Sequence, residues 1–270
     1  MPFNTLNSSS LSVRSDLASS TTKMIFDAHT HIGECDPFHY SASEETVLSI
    51  STERLISEMD RNSVTSAVVM PNFHLPHRLG DANLELASSI SRFRDRLFAF
   101  AWLDPRIEGC CEQLEMLVET HGFRGLKLHP VLGGYYISNK IVHPLIERTI
   151  RLDIPVMIHT GWGNLGNASY VGSLAEKFPD AKFIIAHMID PECLNVAKKN
   201  PNIYLETSYA QHPRKITQAT QDLSSDRLIY GSDYPLGGGM KFELSKIMLA
   251  DINEKDKRMI LGGNIQGLIK

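Results

Sequence analysis

The chain has no apolar run of about 18 residues, the length a membrane-spanning helix requires. It has no basic cluster longer than a pair or so, and its formal net charge is -4 with a pI near 6.3. Neither nucleic acid nor an acidic membrane surface is therefore an expected partner. Cysteine is scarce. The four residues, Cys35, Cys110, Cys111 and Cys193, have the spacing of neither a zinc ribbon nor a disulfide framework, and read as free thiols in a reducing, cytoplasmic setting. A Gly-x-Gly-x-x-Gly after the first apolar run is missing, which removes the usual reason to expect a dinucleotide-binding open sheet. Apolar residues are also sparse over residues 4–22, a stretch rich in Ser, Thr and Asn that lacks the core of a secretory signal. Residues 1–23 are expected to form a flexible or surface-draped arm, and 24–270 a single domain.

What the chain does have is a repeated rhythm. At 270 residues and 42% hydrophobic it can bury one large core. Eight short apolar runs lie at 24–28, 66–70, 97–103, 124–128, 154–159, 182–187, 203–206 and 227–231. Each has the length of a strand and is bulky enough to be buried on both faces. Segments with helical spacing lie between them, at 52–62, 110–121, 142–152, 172–178, 191–199 and 242–249. Asp104-Pro105, Asp190-Pro191 and Asn200-Pro201 punctuate the joints. Eight strand–helix units in about 250 residues predict an α/β protein with a (β/α)8 TIM barrel.

The polar residues fall where such a barrel carries its chemistry, at the C-terminal ends of strands. His29 and His31 close the first run and project to the same side, because side chains alternate along a strand. His159 closes the fifth run, His187 the sixth, and Asp233 follows the eighth. Imidazoles and a carboxylate are the nitrogen and oxygen ligands that zinc accepts, and manganese or iron uses a similar set. One divalent ion is expected, most simply zinc. Such an ion lowers the pKa of a bound water toward about 7.

These residues sit in Phe26-Asp27-Ala28-His29-Thr30-His31, Gly125-Leu126-Lys127-Leu128-His129-Pro130, Pro155-Val156-Met157-Ile158-His159-Thr160-Gly161, Ala186-His187 and Gly231-Ser232-Asp233-Tyr234-Pro235. The order resembles the amidohydrolase superfamily, in particular its amidohydrolase-related branch, which includes decarboxylases and lactonases. The resemblance runs from Lys23 to Ile269, with Ile260-Leu261-Gly262-Gly263-Asn264 similar to the start of the final helix. It implies that His29, His31, His159 and Asp233 bind one metal, and that His187 is the acid, base or water-orienting group, with Asp233 sharing the proton work. In some members a lysine at the end of strand four is carboxylated and bridges two metals. Lys127 here stands in a Lys-x-His-Pro form closer to the mononuclear branch, so a contact to a substrate carboxylate is the leading expectation, ahead of a plain ion pair.

His129, Tyr135 and Trp162 are expected to line the pocket, the last freed by the glycines on either side of it. His74 and His77 flank a proline in a loop after strand two and are expected at the rim rather than as a second metal site. His39, His121, His143 and His212 receive no role, and Glu44-Glu45 reads as a solvated face. The leading reaction is hydrolysis of an ester, lactone or amide of a small, carboxylated substrate by metal-activated water. The alternative is non-oxidative decarboxylation of a small aromatic or unsaturated acid, placed second because only Lys127 offers itself as a cation for the acid. A barrel that binds a small molecule without turnover is the reading outside enzymology. A homo-oligomer is compatible with the sequence.

Overall fold

In the computed structural model, which describes residues 24–36 and 49–269, the eight apolar runs become eight parallel strands. They are β1 (Phe26–Ile32), β2 (Ser66–Pro71), β3 (Leu97–Trp102), β4 (Gly125–Leu128), β5 (Val156–His159), β6 (Phe183–Ala186), β7 (Ile203–Glu206) and β8 (Leu228–Ile229). Each pairs with the next in sequence order. The last turns back to the first: Ala28 N–H donates to the Tyr230 carbonyl at 2.9 Å, and His31 N–H to that of Tyr234 at 2.7 Å. The result is a nearly closed (β/α)8 TIM barrel in one domain. The expected arm at 1–23, His39 and Glu44-Glu45 lie outside the described residues.

Alternation along the strands divides the apolar residues into two layers. Ala67, Val69, Ala99, Leu126, Val156, Ile158, Ile185 and Leu205 pack outward against the helices. Phe26, Ala28, Val68, Met70, Phe100, Met157, Ile184, Ala186 and Ile229 fill the interior, together with Ile265, Leu268 and Ile269 of the C-terminal segment. The same alternation turns Lys127 inward, between Leu126 and Leu128 of the outer layer. Gly125, one pleat below it, is glycine because a Cβ there would lie 2.5 Å from the Phe100 ring.

The helices are α1 (Thr52–Arg61), α2 (Leu79–Ser89), α3 (Cys110–His121), α4 (Pro130–Gly133), α5 (His143–Arg151), α6 (Ala168–Lys177), α7 (Cys193–Lys199), α8 (Pro213–Leu223), α9 (Met240–Met248), α10 (Glu254–Arg258) and α11 (Asn264–Leu268). Their ends follow from local chemistry. The Ser51 side chain accepts from Arg54 N–H to start α1, and Asn167 accepts from Ser169 N–H to start α6 four residues before the expected boundary. Neither α2 nor α8 was expected. In α2, Gly80, Asp81 and Asn83 weaken the helical signal, yet Asn83 is buried and clamps both backbone groups of Trp102 at 2.9 and 3.0 Å. Strand β8 stops at Ile229, short of the expected 231, because Tyr230 N–H donates to Ile260 in the turn before α11.

Candidate metal centre

The first strand solves a parity problem. Phe26 and Ala28 pack into the interior, so His29 and His31 would face outward on a regular strand. The β1–β2 register runs Asp27↔Ala67 and then Thr30↔Val69, one extra residue on β1. That bulge flips the later side chains and brings both histidines inside, fully buried. Asp27 holds the bulge: its Oδ1 accepts from His29 N–H at 3.1 Å and from Ser232 N–H at 2.9 Å, tying β1 to the segment after β8. Complete burial pushes the Asp27 carboxyl up to about 7. Asp233 sits at φ 53°, in a turn closed by Leu236 and Gly237 N–H groups on its own carbonyl.

The hydrogen bonds behind the histidines decide their tautomers. His31 Nδ1 lies 2.7 Å from the Pro71 carbonyl, which can only accept, so this nitrogen carries the proton. His29 Nδ1 lies 3.0 Å from Glu206 Oε2, a carboxylate that also accepts from His187 N–H, Ser208 N–H and Ser208 Oγ, so this nitrogen too carries the proton. Both Nε2 atoms are therefore bare lone pairs. They stand 3.3 Å apart, with Asp233 Oδ1 at 3.2 Å from His29 Nε2 and 3.4 Å from His31 Nε2. Three acceptors at that spacing repel unless a cation stands among them. Bonds of about 2.0–2.1 Å in a tetrahedral shell separate neighbouring ligand atoms by about 3.3 Å, so the donor set fits a divalent ion. Lys127 Nζ, 2.9 Å from His29 Nε2, supplies positive charge to the same spot.

Electrostatics keeps the imidazoles in the form a metal requires. Burial, reinforced by neighbouring positive groups, holds His29, His159 and His187 well below the ordinary histidine value, and so neutral. Burial also lowers Lys127 to about 8 against the pull of Asp233 and Glu206, and it raises Glu206 while the hydrogen bonds from Ser208 and His187 N–H pull that carboxylate back down. Four non-glycine residues with positive φ cluster here: Trp162, His187, Tyr209 and Asp233. Such conformations are strained for these side chains and are retained where the surroundings over-determine them.

The profile of the amidohydrolase family matches residues 26–268. The chain belongs to that family. The sequence resemblance is thereby borne out over nearly the whole length of this amidohydrolase. No curated protein matches it. Among solved structures it is similar to 2,6-dihydroxybenzoate decarboxylase from Rhizobium, at TM-score 0.78 and 16% identity over 91% of this chain and 98% of that one. It is also similar to 5-carboxyvanillate decarboxylase from Sphingomonas paucimobilis (TM-score 0.75, 14% identity, 91% and 98% covered). A third is the dihydroxybenzoic acid decarboxylase from Polaromonas sp. JS666 with bound manganese and the inhibitor 2-nitroresorcinol (TM-score 0.74, 18% identity, 91% and 96% covered).

Within this amidohydrolase barrel, His29, His31 and Asp233 form one group of converging ligand atoms, and His29, His187 and Glu206 another. His159 belongs to neither group among the described residues; its Nδ1 faces His187 Nε2 at 3.1 Å. His129 stacks on His159 at 3.7 Å and on Trp102 at 5.4 Å, and its Nδ1 accepts from Leu132 N–H to cap α4. Trp162 is 49% exposed and lies over His159, with its ring edge-on to His187 and Tyr209. Tyr135 is not brought to the cluster: it is buried beneath the Arg106 guanidinium. His74 is buried beside Asp36, its Nδ1 3.6 Å from Oδ1. Glu206, Ser208 and Asp27 were missed as site residues. Glu206 had a signal, since it ends an apolar run as the histidines do. Ser208 had none.

Asp27→Ala leaves two buried N–H groups without an acceptor, a loss of about 2–4 kcal/mol. A thermal melt of the metal-free protein is expected to fall by roughly 5–15 °C. A midpoint within about 2 °C of wild type would contradict this role.

Proposed function

We propose that this amidohydrolase is a metal-dependent, non-oxidative decarboxylase of a small aromatic or unsaturated carboxylic acid. The observation that carries the reading is Lys127, a buried cation within the acceptor cluster and directly beside the proposed ion. Hydrolysis ranked first in the sequence because a second cation for the acid was lacking. Arg106 indeed does not serve, since Asp104 holds it at 2.8 and 2.6 Å. An ion held by His29, His31 and Asp233 would be the second positive centre and would meet that objection. Similarity to three decarboxylases supports the same choice.

His29, His31 and Asp233 would hold the ion, with His159 as the fourth ligand on the family resemblance. Zinc suits these ligand types, and manganese, bound in the similar Polaromonas protein, suits them as well. When bound, the ion withdraws electron density from the acid and anchors it. Lys127 pairs with the carboxylate. His187, tethered through Nδ1 to Ser208 Oγ at 2.7 Å, presents a bare Nε2 that takes up a proton and passes it to the carbon that loses carbon dioxide, a role worth about 10²–10⁴-fold. Asp233 is the second candidate for that proton. The balance is one carboxylate and one proton in, one C–H product and one carbon dioxide out. His129 and Trp162 wall the site with rings that suit a flat substrate, while Tyr135 acts from behind them by supporting the loop after β4. The four cysteines are free thiols. Among the described residues no helix is long and apolar enough to cross a membrane.

The test is a panel of ortho-hydroxylated aromatic acids offered to protein loaded with Mn²⁺ or Zn²⁺. Carbon dioxide and decarboxylated product are expected in equal amounts, with one deuterium entering the product in D₂O. Opening of esters or lactones without release of carbon dioxide would restore the hydrolase reading. His31→Ala should lose the ion and at least about 10³-fold in turnover, whereas His74→Ala should keep both within a few fold. Wild-type metal content in His31→Ala, measured by elemental analysis, would remove that ligand.

A further inference from the structure

We infer that Glu206 is a positioning residue that sets the tautomers of His29, His187 and His159 together, so that one buried carboxylate prepares both the metal site and the histidine that relays the proton. The inference rests on the metal reading above for what His29 does.

Glu206 accepts four hydrogen bonds: from His29 Nδ1 at 3.0 Å, His187 N–H at 3.1 Å, Ser208 N–H at 2.5 Å and Ser208 Oγ at 2.8 Å. Its oxygens are fully engaged by donors, so it orients groups rather than binding the ion itself. The Ser208 hydroxyl has one proton, and that proton goes to Glu206. Ser208 Oγ must then accept from His187 Nδ1, 2.7 Å away. His187 Nε2 is left as a lone pair and accepts from His159 Nδ1 at 3.1 Å. His159 Nε2 is left bare, the form a metal ligand takes. One chain of donors and acceptors thus starts at Glu206 and fixes three rings. The barrel also makes room for this carboxylate: a Cβ on Gly231 would lie 2.5 Å from its Oε1. Ordinary conformational freedom does not explain that glycine, whereas the space taken by Glu206 does.

The test uses full-length protein labelled with ¹⁵N-histidine. In the metal-free wild type, His29 and His187 are expected to show protonated Nδ1 and pyridine-type Nε2 resonances. Glu206→Gln offers a donor where four donors already converge; it should move the proton of His29 to Nε2 and weaken Zn²⁺ binding by about 10–100-fold in a calorimetric titration. Glu206→Asp, which keeps the charge, should recover part of that loss. Ser208→Ala severs only the His187 arm, so it should shift the His187 resonances while His29 keeps its tautomer. A protonated Nε2 on His29 in the wild type, or wild-type Zn²⁺ affinity in a folded Glu206→Gln protein, would overturn the inference. If Zn²⁺ fails to bind the wild type, the metal reading falls instead, and the tautomers of the metal-free protein still decide the role of Glu206.

Discussion

Two imidazole lone pairs and a carboxylate oxygen face one another across 3.2–3.4 Å in the buried mouth of the barrel. Such an arrangement is repulsive by itself, and much of the surrounding structure exists to maintain it. The Pro71 carbonyl and Glu206 keep the protons on the far nitrogens of His31 and His29. Asp27 locks the bulge that turns both rings inward. The turn at Asp233 docks on β1 through the Thr30–Tyr234 bridge, which joins residues 204 positions apart in sequence and brings Asp233 to the two histidines. Only a positive centre relieves the crowding, and Lys127 alone cannot meet all three acceptors with the symmetry of an ion.

The sequence carried much of this. Eight apolar runs of strand length, separated by helical spacing, were enough for the barrel, because burial on both faces leaves a plain hydrophobic signal. Polar residues at the ends of those runs stood out against it, which is why His29, His31, His159, His187 and Asp233 were found. Details set by long-range contacts were not legible. The β1 bulge depends on pairing with β2, and a sequence shows only that His29 and His31 share a side, not which side. Helix α2 is held by Asn83 on Trp102, a tertiary bond with no local pattern. Tyr135, expected at the pocket from its position after β4, lies under the Arg106 guanidinium, a long-range packing contact with no local pattern. Glu206 was visible at the end of its run, and its partners were not.

The ranking of reactions changed for a physical reason. A carboxylate substrate needs positive charge, and the sequence offered one candidate lysine. In the folded chain His29, His31 and Asp233 converge, and the ion proposed among them would be the second charge. Around it the rings of Trp102, His129, His159 and Trp162 form a nearly parallel series with interplanar angles of 11°, 16° and 25° between neighbours. Polar chemistry at the centre and flat apolar walls beside it suit a small planar acid whose charge disappears as carbon dioxide leaves.

The most direct measurement is diffraction from crystals soaked in Zn²⁺ or Mn²⁺, with data collected on both sides of the metal absorption edge. The account predicts one anomalous peak per chain, about 2.0–2.3 Å from His29 Nε2, His31 Nε2 and Asp233 Oδ1. A strong peak elsewhere, with those three atoms left out of its coordination shell, would contradict it.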